Sequence, residues 1–179
     1  MGTISTNRMG GASLIVGPIL AVVCFLIRPG GGLVGGQVDP ADASASINVV
    51  TANADLAGIS FLLAPIGLLA LVYGLNVFAE SLKGGNGEAL ARYGTLFFLL
   101  ALMSWSVGSA LTVAIAGGAA AGAAEALYAA GTAVSSTGGI FAALGLLAPS
   151  VGVSTRDDFN KPFALIVAAT SAILLVFAV

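Results

Sequence analysis

Arg28, Asp55, Tyr73, Asn76 and Glu125 are among the side chains of this sequence that set a polar or ionisable group in or beside a long apolar stretch. An acid at the end of a membrane helix can hold a cation or relay a proton, and a guanidinium can neutralise it. Arg28, Asp55 and Glu125 fall at corresponding ends of their stretches and form a candidate polar outer cluster. It is read first as a structural pairing of helix ends and second as a cation or proton site. Asn76, three residues after Tyr73, is the strongly polar group well inside a stretch, and it is read as a hydrogen-bonding link between helices.

Other chemistry is excluded by residue type. The sequence has no histidine, so imidazole-ligated haem, chlorophyll, copper or zinc and a Ser-His-Asp relay cannot form. A single cysteine, Cys24, leaves no intrachain disulfide and no cysteine-held iron–sulfur cluster. The glycine runs lack the following Lys-Ser/Thr of a phosphate loop, and no carboxylate pair is set within one shielded stretch. The expectation is a protein that is not an enzyme, with no catalytic residue, metal site or cofactor of its own.

The elements that must position these groups follow from composition. Residues are 58% hydrophobic and 8% charged, where a soluble domain carries about a quarter charged. That much apolar surface has no place in a water-soluble core. A bilayer span needs about 20 apolar residues, and the chain offers five stretches near that length: 11–27, 56–79, 93–117, 126–147 and 162–179. Backbone groups in lipid must be satisfied within each segment, which requires helices. The expected fold is an all-α integral membrane bundle of five transmembrane helices, one polytopic domain over residues 1–179. The first stretch ends in Phe25-Leu26-Ile27-Arg28-Pro29 with no small-residue cleavage site, so it is read as retained. A net charge of −2 and the lack of a basic cluster exclude nucleic acid as a partner.

Lysine and arginine collect on the cytoplasmic side of short loops. With the N-terminus cytoplasmic, Arg8, Lys83, Arg92, Arg156 and Lys161 lie inside and Arg28 alone lies outside; the C-terminus is then outside too. The expected location is a multi-pass position in a prokaryotic inner membrane. The first outer loop begins Pro29-Gly30-Gly31-Gly32, and Asp39-Pro40 reads as an N-cap and first helical residue. The helix so begun, over 41–53, is either interfacial or an outer extension of the second span. Inside, Gly84-Gly85-Asn86-Gly87 reads as a turn between Glu80/Lys83 and Glu88/Arg92 pairs, and Asp157 or Asp158 as the cap of the last helix.

Small residues recur every four positions in the third and fourth spans: Ser104, Gly108, Thr112 and Ala116, then Gly131, Ser135, Gly139 and Ala143. In lipid such ridges permit close backbone approach, so they are read as helix-packing surfaces, within a hairpin or against a partner. Phe98 and Trp105, seven apart, form an aromatic stripe that is read as core or lipid packing, or as a ligand or subunit contact. The functional expectation is an accessory or structural subunit packing against a larger membrane complex, with lipid and partner subunits as its contacts. The alternative is a small transporter or channel with an outer-end acidic site.

Overall fold

The computed structural model describes residues 5–31 and 33–178, and among these the chain is all-α. Its six helices are α1 (Thr6–Ile27), α2 (Ala43–Ala52), α3 (Ala54–Ser81), α4 (Glu88–Ala116), α5 (Ala121–Ser154) and α6 (Lys161–Ala178). Four of them, α1, α3, α4 and α5, are long and apolar enough to cross a membrane, and α6 is a shorter apolar helix. These four suggest a multi-pass membrane protein in contact with lipid.

The helices outrun the apolar stretches at their polar ends. The largest difference is in α5, which continues through Pro149 to Ser154, where the stretch read from sequence stops at Leu147. Proline deprives the carbonyl four residues earlier of its helical donor. Here that carbonyl, on Gly145, lies against the bare Cα of Gly94, where a Cβ would stand 2.7 Å from it.

The outer-loop helix starts three residues later than the sequence reading places it. Asp39 accepts from the Ala41 amide at 2.9 Å and closes a local turn, so the capping carboxylate is Asp42, which accepts from the Ala45 amide at 2.9 Å and the Ser44 hydroxyl at 2.8 Å. The helix then breaks at Asn53, whose φ of −126° and ψ of 43° separate α2 from α3. The start of α6 differs likewise. Asn160 accepts the Phe163 amide at 3.1 Å, while Asp157 and Asp158 are engaged by Lys161 and Arg156, each at 2.7 Å.

The Ala45 amide, then the Ser44 hydroxyl, holds the Asp42 carboxyl below the usual aspartate range. A carboxylate depressed in the folded state stabilises it above the unfolded pKa, and the contribution is lost as pH falls through the lowered value. Hydrogen-exchange protection at Ala45 and Ser46 is therefore expected to hold at neutral pH and fall below about pH 4. Asp42→Ala is expected to lose that protection at neutral pH as well, and Asp42→Asn to remove the pH step.

The chain forms two compact units. The first takes residues Met1–Val16, Ala70–Met103 and Ser136–Val179. Its core is Ala79, Leu82, Ala91, Val153 and Ala164, flanked by Phe78 and Phe159 edge to face at 5.8 Å. The turn between α3 and α4 belongs to it, with Gly84 and Gly87 at φ of 76° and 90°. Arg92 joins Glu88 at 2.9 Å and Glu80 at 3.1 Å across that turn. The second unit takes Gly17–Leu69 and Ser104–Ser135, around Val50, Ala57, Ile115 and Ala124, with Ile47, Phe61, Leu127 and Tyr128 packed on them.

Candidate functional site

Within the second unit α4 and α5 meet through the small residues singled out above. The Ser135 hydroxyl occupies the space a Gly108 side chain would take, and the Gly131 carbonyl lies 3.3 Å from the same point. Trp105 donates its indole N–H to the Ser135 carbonyl at 3.0 Å. Thr112 turns its hydroxyl to the Gly108 carbonyl of its own helix, also at 3.0 Å. Ser104 is half-buried, and around Gly139 no atom lies within 4 Å of where a side chain would begin. Gly108, Ser135 and Gly131 thus serve a contact inside the chain.

Within the first unit the same two helices meet through residues not identified from sequence. Gly145 receives Phe98, whose ring and amide would lie 2.9 and 3.0 Å from an added Cβ. Gly94 receives the Pro149 ring, and a Cβ added at Gly87 would stand 2.7 Å from the Gly152 carbonyl. Phe98 and Trp105 therefore belong to the buried side of α4, with Phe98 only 4% exposed. A legible signal marks these residues: Ala91, Gly94, Phe98, Ala101, Trp105, Gly108, Thr112 and Ile115 alternate spacings of three and four, as do Gly131, Ser135, Gly138, Ala142, Gly145, Pro149 and Gly152. All are buried or half-buried. That alternation is the seam of left-handed helix pairs.

The three charges expected at the outer ends all lie in the second unit, and among the described residues no ion pair joins them. Asp55 and Glu125 are exposed. The Arg28 guanidinium lies over the Phe25 ring, 3.9 Å from its centroid. The residue that does gather this end is Tyr128, whose hydroxyl donates to the Pro40 carbonyl at 2.8 Å and lies 3.0 Å from the Ser46 hydroxyl. An aromatic residue near the polar end of an apolar stretch is the available clue to it.

Tyr73 and Asn76 line an open groove of about 430 Å³ in the first unit with Thr6, Asn7, Val77, Glu80 and Ser81. Both are exposed there, and Glu80 is shared with Arg92 and Lys83. The groove is polar at one end of the α1/α3 contact, where Gly10 faces Val77 and Gly74 faces Leu14.

The uncovered helix faces are of two kinds. On α1, Ile15, Ile19, Val22 and Leu26 are 41–64% exposed, and α3 exposes Ile59, Leu62, Ile66 and Leu69 in the same way. On the N-terminal half of α5 the exposed Gly122, Ala126, Ala129, Ala130 and Ala133 share a face that leaves the backbone almost bare, with the exposed Glu125 at its margin. Compared with known proteins, the chain matches no family model, no curated protein and no solved structure.

Proposed function

We propose that the protein is a non-catalytic accessory or structural subunit that docks on a larger membrane protein complex through the small-residue face of α5. In this reading α6 is the fifth span, the N-terminus is cytoplasmic and the C-terminus outside, as the distribution of Arg8, Lys83, Arg92, Arg156 and Lys161 against Arg28 favours. The face of Gly122, Ala126, Ala129 and Ala130 carries the proposal. Lipid tails solvate large aliphatic side chains as well as a neighbouring helix does, whereas a bare helix surface gains dispersion contacts when another backbone approaches closely. The faces of α1 and α3 suit lipid; that of α5 suits a helix.

The experiment is mild-detergent purification of the full chain from its native membranes, followed by sizing and subunit identification. The wild type is expected in a larger assembly. Ala126→Leu with Ala130→Leu is expected to release a folded, lone chain, and Ile19→Leu on α1 to leave the assembly intact. Recovery of the wild type as a monomer or homodimer that passes a solute across liposomes would replace this reading with the transporter or channel.

A further inference from the structure

Arg28 follows the last residue of α1 and is clasped on two sides. Its guanidinium lies over the ring of Phe25, one turn earlier, with Cζ 3.9 Å from the centroid. Gly31 folds back on its stem so closely that a side chain there would stand 2.9 Å from Arg28 Cγ and 2.6 Å from the Phe25 carbonyl. The Gly31 amide donates to the Arg28 carbonyl at 2.9 Å and locks the fold-back. Burial disfavours the charge, yet a guanidinium stays protonated at any physiological pH and keeps five N–H donors to satisfy.

Tyr128 is near enough to favour the charge electrostatically, but no ion pair among the described residues reaches the guanidinium. Each ion pair of the described residues involves Glu80, Glu88, Asp157 or Asp158, all in the other unit. Of the acids in the same unit, Asp39 and Asp42 are engaged by backbone amides, and neither Asp55 nor Glu125 lies within ion-pair distance. Arg28 is half-buried, and its unpartnered guanidinium nitrogens keep contact with the surface, since no polar side-chain atom among the described residues is buried without a partner. A cation at a helix C-terminus gains from the helix dipole, but a solvated lysine would serve that purpose without a ring beneath it or a glycine wrapped round its stem.

We propose that Arg28 is a binding site for a phosphate group, held by paired N–H donors of a guanidinium whose stem is packed by Gly31 and whose head lies over Phe25. A planar fork of donors matches two phosphate oxygens at once. The site rests on the membrane reading for its depth: Arg28 ends the apolar run of α1, at the level where phospholipid headgroups lie. The phosphate is that of a phospholipid or a free phosphate ion.

The test uses the full-length protein in detergent and native mass spectrometry, with phosphatidylglycerol, diacylglycerol of the same chains, and inorganic phosphate as probes. The wild type is expected to retain phosphatidylglycerol and not diacylglycerol. Arg28→Gln should weaken that binding about tenfold or more, as loss of a charge-assisted pair does. Arg28→Lys, which keeps the charge and loses the fork, should fall between, and Arg156→Gln should bind as the wild type. Competition by inorganic phosphate assigns the site to the free ion, and lack of competition assigns it to the lipid. Equal binding by Arg28→Gln and wild type, or equal retention of diacylglycerol, would overturn the proposal. Recovery of the wild type in the aqueous fraction without detergent would instead overturn the membrane reading.

Discussion

Gly145→Leu is expected to abolish the folded chain in detergent, with a loss of at least about 3 kcal/mol, the upper range for forcing extra carbons into a packed contact. The first added carbon already meets the Phe98 ring at 2.9 Å, the Phe98 amide at 3.0 Å and the Gly94 carbonyl at 3.1 Å. Two of these three are backbone, so no rotamer change relieves them; α4 and α5 must part. Separation of the pair also strips Gly94 from Pro149 and exposes a carbonyl that proline leaves without its helical donor. The matched control is Gly139→Leu, six residues earlier on the same helix, where no atom lies within 4 Å. It is expected to change stability by no more than about 0.5 kcal/mol. Equal unfolding midpoints for the two variants would show that the seam does not hold these helices.

Gly87→Ala is expected to have the next largest effect, for two separable reasons. Its φ of 90° lies in the left-handed region, where a Cβ costs about 1–2 kcal/mol. The added atom would also stand 2.7 Å from the carbonyl carbon and oxygen of Gly152. Gly84→Ala isolates the first cost, since its φ is 76° and nothing lies within 4 Å. Denaturation of the two variants should therefore differ by about 1–3 kcal/mol, the contribution of overpacking alone. If Gly84→Ala proves equally destabilising, the close approach of the turn to Gly152 contributes nothing.

Helix existence was legible in the sequence because lipid leaves the backbone few other solutions, and hydropathy marks where that constraint applies. Helix ends were less legible. Asp39-Pro40 carries a strong start signal, yet a short carboxylate serves a local turn as readily as a helix cap, and Asp42, three residues on, offers the same chemistry. The stretch read from sequence stops at Leu147, yet α5 runs on through Pro149, because Gly94 facing it on α4 makes room for its ring. Of the small-residue ridges, Gly108 and Ser135 meet across α4 and α5, while Gly139 faces no neighbouring helix within 4 Å. Residues four apart advance about 40° around a helix at each step, so a strict four-residue ridge winds away from its neighbour. Alternation of three and four keeps one face inward, and it leads from Ser135 through Gly138 and Ala142 to Gly145. The grouping of Arg28 with Asp55 and Glu125 rested on helix-end level alone, which says nothing of angular position. Aromatic partners, Phe25 for Arg28 and Tyr128 for the loop, carry no complementary charge to announce them.

The Tyr128 clasp on Pro40 spans 88 residues of sequence. A ribosome adding about 5–20 residues per second takes roughly 4–18 s to travel that distance. The glycine-rich loop and α2 are thus synthesised well before the hydroxyl that fastens them, and the clasp can close only once α5 has begun to emerge. Biogenesis thus has a built-in order in which the loop is made first and its fastening by Tyr128 follows seconds later.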